Sequence, residues 1–418
     1  LDLDWNYLGT QNEIRFNNLP SGSYKLRIRG ADRNLNVSQQ EFAPLIPKGF
    51  NGKVILMIVP KHNGVLYHRL TAPLNHLQRN NPDDYFIVEV EDLDYAVATY
   101  PDLLENVDVA YFSRTISYFQ KIERVVAMLH KFGVRVIVDT DDTWRLDGTH
   151  SLFRMWKKGK TADGNFFDTW KQSLVYADDV VVTNEQLKEQ CLKLNDNVHI
   201  VPNALDTDIK QLKIAKTNDA NNKVMFGYLG SPTHERDVKP LGRAFNILYH
   251  GNDTKDKFGV VLGGDMREKH GNKETLGVRA FNNYMKVFNG DSSKIYPNFE
   301  TFPYMPVESY MTFYNSINVS LIPLAKSEFN MYKSELKMIE AAAMGCLIVV
   351  SDVMPYSPFI DENMCVRVGK DKHWPKVMKD IVLNPNEYFP RIIDASNWFN
   401  ENRTMDVVNE KRKAIIND

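Results

Sequence analysis

Two series of short apolar strands alternating with helices, separated by one polar stretch, constrain this chain more than any other feature. From Lys53, "KVILMIVP" reads as a buried strand and "VLYHRLTAPLNHLQRN" as a helix. "YFIVEV" and "DVAYF" read as strands, and "YFQKIERVVAMLHKFG" as a helix closed by Gly133, where a cap glycine belongs. "VRVIVDTDD", "DDVVVTN", the helix "EQLKEQCLKL" and "VHIVPNAL" finish this series. "DTDIKQLKIAKTNDANN" is polar and reads as a linker. A second series follows: strand "KVMFGYLGS", helix "VKPLGRAFNILYHG" closed by Gly251, strand "FGVVLGG", helix "VESYMTFYNSI" and strand "NVSLIPL". Strands buried on both faces and alternating with helices define parallel α/β domains. The fold class expected is therefore α/β, with two Rossmann-like domains facing a cleft at the carboxyl ends of their strands, where open α/β sheets bind ligands. The expected boundaries are 47–205 for the first domain, 206–222 for the linker, 223–390 for the second domain, and 391–418 for terminal helices that can pack back on the first domain.

Composition narrows the function. The chain has 418 residues, 43% hydrophobic and 25% charged, an ordinary globular mix with room for two or three domains. A net charge of -2 argues against a nucleic-acid partner while leaving room for a local basic cleft. The three cysteines, Cys191, Cys346 and Cys365, have no metal-ligand spacing, so a reducing compartment, the cytoplasm, is expected. No apolar run reaches the length of a membrane span. The start, "LDLDWNYL", lacks the regions of a signal peptide and an initiator methionine, and is read as the beginning of a piece of a longer polypeptide.

Residues 1–46 follow another pattern. "NEIRFNNLPSGSYKLRIRGADRN" alternates polar and apolar residues around a Pro-Ser-Gly turn, as a half-buried hairpin does. The run Leu19 to Tyr24 resembles the tyrosine-corner end of a fibronectin-III-like sandwich. A hairpin packed on the main body and the remnant of a sandwich both fit this segment.

The stretch "KSELKMIEAAAMGCLIVVSD", residues 333–352, carries the chemistry. A helix capped at its start by Ser334 puts Lys333, Lys337 and Glu340 on one face, while Gly345 ends it before a buried strand. A helix N-terminus beside two lysines is an anion site, most naturally for phosphate. Glu340, further down the helix, can accept from two vicinal hydroxyls such as those of a ribose. A solvated Lys337–Glu340 pair on an ordinary helix is the competing reading of these residues alone.

The segment "FNMYKSELKMIEAAAMGCLIVVSDVMPY" resembles the nucleotide-sugar motif of GT-B glycosyltransferases, in the large retaining family that includes sucrose and glycogen synthases and many bacterial glycan transferases. "VPKHNGVLYHRLTAPLNHL", "VHIVPNALD", "FGYLGSPTHERDVKPL" and "FGVVLGGD" resemble four further stretches of that family in the same order, and together they cover roughly residues 50 to 390. The resemblance implies that Glu340 binds the donor ribose, and that Lys333, Ser334 and Lys337 meet the diphosphate or the sugar. Gly230, Ser231, Thr233 and His234 of the turn "GSPTH" would face the phosphates from the other side, His234 as a phosphate or sugar contact. Two departures stand out. Tyr332 occupies the position, eight before Glu340, where much of the family has a second acid, and Asn330 is the nearby amide able to take over sugar contacts. Arg236 and Lys239 stand near the place of the family's usual basic pair.

"VDTDDTW" places Asp139, Asp141 and Asp142 at a strand end, a pattern that invites a divalent cation. The GT-B resemblance implies no metal, so Asp141 and Asp142 are read as cleft residues that bond a sugar or cap the following loop. In "KHNGVLYHRL", Gly64 marks the strand-to-helix turn, and His68 and Arg69 are candidates to touch donor or acceptor. No P-loop, G-x-G-x-x-G, G-x-S-x-G or H-E-x-x-H motif is present. What the resemblance implies is a retaining, metal-independent glycosyltransferase with a nucleotide diphosphate sugar, such as a UDP-sugar, as co-substrate and no cofactor. Its acceptor is a glycan, protein or small molecule, and Lys337, Glu340, His234 and Asp142 carry catalysis. A sugar-nucleotide epimerase, an inactive sugar-nucleotide-binding module and a DNA-modifying glycosyltransferase are the alternatives.

Overall fold

The computed structural model describes residues 26–31, 37–42, 46–47, 49–60, 63–100, 102–117, 120–148, 150, 153, 157, 166–212, 223–231, 234–265, 275–290, 295–359, 361 and 363–418. Strands β1 (Leu26–Ala31) and β2 (Val37–Phe42) form an antiparallel pair with Leu26 opposite Phe42. The Pro20–Gly22 turn expected to organise this segment lies outside the described residues.

The first large sheet contains β3 (Lys53–Ile58), β4 (Tyr85–Val90), β5 (Val109–Ser113), β6 (Arg135–Thr140), β7 (Asp179–Val182) and β8 (Val198–Ile200). Its spatial order is β4-β3-β5-β6-β7-β8, and every pair is parallel. The second contains β9 (Val224–Leu229), β10 (Phe258–Asp265), β11 (Phe299–Pro303), β12 (Val319–Ile322), β13 (Leu347–Ser351) and β14 (Cys365–Val368). It runs β11-β10-β9-β12-β13-β14, again all parallel. All six strands of the first sheet and β9, β10, β12 and β13 of the second are those the alternating pattern predicts, while the edge strands β11 and β14 are additional. The order in which successive strands are added reverses between β3 and β5 in the first sheet and between β9 and β12 in the second. Loops leaving these switch points are where a parallel sheet opens a ligand crevice.

Each sheet is buried on both faces. Val54, Leu56 and Ile58 of β3 pack into one core, and Ile55 and Met57, one residue out of phase, into another. Helix α1 (Ala72–Asn80), preceded by a π-helical turn at Tyr67–Thr71, covers the second of these with Leu74 and Leu77. Helices α2 (Ile122–Lys131) and α3 (Glu185–Cys191) cover the other with Val125, Val126, Leu129, Leu187 and Cys191. On the second sheet, α4 (Glu235–His250) and α5 (Leu276–Phe288) lie on one face. Helix α6 (Leu336–Ala343) lies on the other, and α7 (Trp374–Leu383) joins α4. Gly133 and Gly345 follow α2 and α6 with φ of 75° and 61°, the left-handed conformation in which a helix ends. Residues 310–316, expected as an α-helix, form the tighter 3₁₀ form.

The two terminal helices part company. Ala395 and Phe399 of α8 (Arg391–Asn402) stay in a core of the second sheet with α6. Met405, Val408, Ile415 and Ile416 of α9 (Met405–Asn417) join α1 on the first sheet. A parallel bridge between Leu205 and Thr404 marks this return, with Leu205 N–H donating to Arg403 O at 3.0 Å and Met405 N–H to Leu205 O at 2.9 Å.

Candidate functional site

The switch-point loops of the two sheets face each other and are stitched together by polar contacts. Lys333, after β12, places Nζ 3.2 Å from Asp142 Oδ1, after β6. Asn203 Nδ2 donates to Ser334 Oγ at 2.8 Å, and Asn184 Nδ2 to Lys333 O at 3.0 Å. Phe329 N–H donates to Asp147 Oδ2 at 2.9 Å. His68 Nε2 lies 2.8 Å from the Tyr310 hydroxyl.

Helix α6 begins one turn position later than the sequence suggests. Glu335, not Ser334, sits at the N-cap, without a side-chain cap bond. Ser334 Oγ is engaged by Asn203 from the other domain instead, and Glu335 is fully buried against Arg403 Nε at 3.1 Å. Lys337 rises from the first turn with Nζ 4.8 Å from the centre of the Tyr228 ring, a cation–π contact. Among the described residues its ammonium has no hydrogen-bond or ion-pair partner. Burial lowers its pKa to about 8, against the opposing pull of Asp237 and Glu340.

Glu340 is 4% exposed, and both of its oxygens are occupied. Tyr310 donates to Oε1, and Tyr314 donates to Oε2 at 2.7 Å. Burial raises its pKa, although the two phenols and Lys337 oppose the shift. His68 approaches from the first domain, its Nε2 3.9 Å from Glu340 Oε1. Burial and then the Arg69 charge lower the His68 pKa to about 4, so it is a neutral group at physiological pH. The carboxylate thus holds two hydroxyl donors, the chemistry that a vicinal diol would offer, but both donors are tyrosines.

Beside them in the same domain, His234 closes the turn after β9 and precedes α4. Its Nδ1 lies 2.7 Å from Asp237 Oδ2. Asp237 Oδ1 accepts from Ala325 N–H at 2.8 Å and from Asn330 Nδ2 at 3.1 Å. Asn330, expected to offer its amide to a sugar, spends Nδ2 on Asp237 and on Ala325 O. His150, His234, Arg236, Asp237, Ser327, Phe329, Asn330 and Lys333 enclose about 380 Å³ of space open to solvent.

The aspartates of "VDTDDTW" each face a cation. Asp139 is fully buried and receives Arg69 in a two-pronged pair, Nε–Oδ1 at 2.7 Å and Nη2–Oδ2 at 2.9 Å. Asp141 takes Arg114 Nη2 at 2.9 Å, while Asp142 lies between Arg114 and Lys333. Burial pushes the Asp141 pKa up, but Arg114 outweighs it and the net shift is downward. Arg114 has φ of 68°, an uncommon backbone for a residue with a side chain, at the switch point directly after β5. Among the described residues, no group of three or more His, Cys, Asp and Glu is arranged to hold a metal ion.

Of the residues singled out from sequence, Lys333, Ser334, Lys337, Glu340, His234, Asn330, Asp141, Asp142 and His68 come together around the cleft. Thr233 lies outside the described residues. Gly230 is adjacent, and a Cβ there would stand 2.3 Å from the Tyr228 hydroxyl, so the turn needs a glycine. At Gly64 a Cβ would meet nothing within 4 Å, so crowding does not explain that glycine. Arg69 departs from expectation: 1% exposed, it also donates to Asn203 Oδ1 at 3.1 Å and Val201 O at 2.9 Å, and is spent on the framework. The residues that sequence reasoning missed are Tyr310, Tyr314, Asp237, Arg114 and Asn203. Only Asp237 left a local signal, a carboxylate three residues after a histidine.

Among solved structures, the chain is similar to a glycosyltransferase from Rickettsia africae ESF-5, at 11% identity over 88% of this chain and 98% of that one, with a TM-score of 0.57. It is similar to a sucrose-phosphate synthase from Thermosynechococcus elongatus, at 11% identity over 87% and 98%, with a TM-score of 0.58. It is also similar to Anabaena HepE in complex with UDP-glucose, at 9% identity over 87% and 99%, with a TM-score of 0.56. The fold is therefore GT-B, two Rossmann-like domains facing a cleft. A family model described as "Y_Y_Y domain" matches residues 1–43, the segment containing β1 and β2. No curated protein matches the chain. No helix among the described residues is long and apolar enough to cross a membrane.

Two substitutions test this geometry. Arg69→Ala strands the buried Asp139 carboxylate and should cost about 3–5 kcal/mol in denaturant unfolding; an unchanged midpoint would show that the pair is dispensable. Tyr310→Phe removes one donor from Glu340 and should cost about 1 kcal/mol while tightening the binding of a nucleoside diphosphate, because a hydroxyl that must be displaced is gone. Calorimetry reads both quantities, and weaker nucleotide binding would show that Tyr310 supports the ligand.

Proposed function

We propose that the protein is a glycosyltransferase that moves a sugar from a nucleotide diphosphate sugar to an acceptor hydroxyl, with retained stereochemistry and without a metal ion. The observation that carries this reading is the pairing, at the switch point of the second sheet, of Lys337 and Lys333 with the N-terminal turn of α6, directly across from the aspartates of the first sheet. A diphosphate leaving group needs fixed positive charge where its own charge develops. Lys337 supplies an ammonium with no anion bonded to it among the described residues, and α6 supplies the N–H groups of its first turn. In the proposed step the anomeric carbon–phosphate oxygen bond breaks and the acceptor oxygen bonds the anomeric carbon. The acceptor proton passes to a diphosphate oxygen, so no protein base is required. With Asp139, Asp141 and Asp142 already facing Arg69, Arg114 and Lys333, neutralisation of the leaving group falls first to Lys337.

Glu340 is the ribose partner in this reading. The diol replaces the Tyr310 and Tyr314 hydroxyls on its oxygens, and donor entry is coupled to release of the His68–Tyr310 contact. UDP is the favoured nucleotide, since a structure of the same fold holds UDP-glucose. The three cysteines are free and buried, which agrees with a reducing compartment such as the cytoplasm. One observation favours a second reading, an inactive sugar-nucleotide-binding module. Tyr332 stands in place of an acid and packs against the core of the first sheet.

The test is thermal stabilisation by UDP, GDP, ADP, CMP and dTDP, with and without EDTA. One diphosphate at 100 times its Kd should stabilise the protein by about 2.7 kcal/mol regardless of EDTA. Lys337→Met should keep or raise the unliganded midpoint, since it removes a buried charge, and weaken that diphosphate by about tenfold or more. Lys337 is charged below about pH 8, so wild-type affinity should be level at lower pH and fall as pH rises through that value. No shift with any nucleotide sinks the proposal; binding without turnover of the nucleotide sugar selects the inactive module.

A further inference from the structure

We infer that His234 reads a hydroxyl of the donor sugar, held by Asp237 in the tautomer whose Nε2 is a hydrogen-bond acceptor. The inference rests on the transferase reading for the identity of its ligand, but its structural half stands independently.

The argument begins with Asp237, which is 5% exposed and belongs to the first turn of α4. Its Oδ1 is committed to two N–H donors, Ala325 N at 2.8 Å and Asn330 Nδ2 at 3.1 Å. Its Oδ2 meets His234 Nδ1 at 2.7 Å. A carboxylate only accepts, so the proton between them sits on His234 Nδ1. Burial pushes the Asp237 pKa up, but the His234 contact outweighs it, and the group is held below the ordinary carboxylate value. The anion is therefore the resident form.

The second step concerns His234 itself. With Nδ1 protonated, a neutral ring leaves Nε2 with a lone pair, and a charged ring would make Nε2 a donor. Burial first, and then the nearby Lys337 and Lys333, bring the His234 pKa to about 4, even though Asp237 opposes the shift. The ring is neutral at working pH. His234 Nε2 has no hydrogen-bond partner among the described residues, and the side chain, 16% exposed, lines the open cleft.

The third step is ligand chemistry. A lone pair at Nε2 repels phosphate oxygens and attracts an O–H. Phosphate oxygens have cations to go to in Lys333, Lys337 and Arg236. Next to His234 the cleft is lined by Phe329, Ser327, Asn330 and Lys333, the Phe329 ring being covered by Lys333 Nζ, 4.7 Å from its centre, and by the His150 ring at 4.4 Å. An open pocket with single polar atoms around it suits the hydroxyl rim of a pyranose. Asp237 is thus a positioning residue: it acts through His234 and, by its other oxygen, ties the turn after β9 to the loop after β12.

Asp237→Asn gives a discriminating test. The Asn oxygen can still accept from Ala325 and Asn330, while its Nδ2 turns a donor towards His234 Nδ1. Nδ1 must then accept, and the proton moves to Nε2. Nitrogen-15 NMR of the full chain, with His234→Gln used for assignment, should show an unprotonated Nε2 in the wild type and a protonated Nε2 in Asp237→Asn. Calorimetry then compares UDP-glucose with UDP, GDP-mannose with GDP, and ADP-glucose with ADP. For the pair that binds, the ratio of sugar-nucleotide to nucleotide affinity should fall about fivefold or more in both Asp237→Asn and His234→Ala. A protonated Nε2 in the wild type, a ratio that does not change, or equal loss for both members of a pair overturns the inference and leaves the transferase reading intact. If no nucleotide binds in any pair, both fail together.

Discussion

A carboxylate with 4% exposure must be satisfied, and the way Glu340 is satisfied sets the state of the whole cleft. Its two oxygens hold Tyr310 and Tyr314 from a 3₁₀ segment of its own domain, and Tyr310 in turn meets His68 of the other. A single buried charge therefore links α6, residues 310–316 and the π-helical turn before α1. The lysines on the same helix face the opposite situation: Lys333 has an aspartate across the cleft, whereas Lys337 has only the face of an aromatic ring. One helix thus presents a satisfied anion and an unsatisfied cation within two turns, and that asymmetry is what gives the cleft a direction for an anionic ligand.

The architecture was legible because burial on both faces leaves a continuous apolar run in every central strand, and a helix between two such runs forces parallel pairing. Lys333, Lys337 and Glu340 were legible because helical spacing puts them on one stripe. Other features depend on partners far away in the chain. Arg69 reads as an exposed helix charge until Asp139 is found 70 residues later. Asp142 reads as a loop cap until Lys333 is found 191 residues away. Tyr310 and Tyr314 look like an apolar stripe, and nothing local says that their hydroxyls end on Glu340. Ser334 is a good cap residue by propensity, but Asn203 claims its hydroxyl, and tertiary contact decides where the helix begins.

The two sheets divide the work differently. The second carries ionisable groups whose pKa values burial lowers: His234 to about 4 and Lys337 to about 8. Those of the first carry charges matched in pairs, from Arg69 with Asp139 to Arg114 with Asp141. Matched pairs make a stiff wall, and unmatched groups make a responsive one. Arg114, bent into a left-handed backbone, holds that wall in place at the point where the first sheet opens.

Helix α9 has a consequence for how this protein is made. Met405, Val408, Ile415 and Ile416 complete the core beneath β3 and β5, so the half of the chain that leaves the ribosome first cannot finish its packing until nearly everything else has been synthesised. The second half, by contrast, holds all of its own sheet and is free to settle before that helix arrives. The bridge between Leu205 and Thr404 then lays the returning chain alongside the outgoing one, so that two adjacent crossings join the domains in place of one.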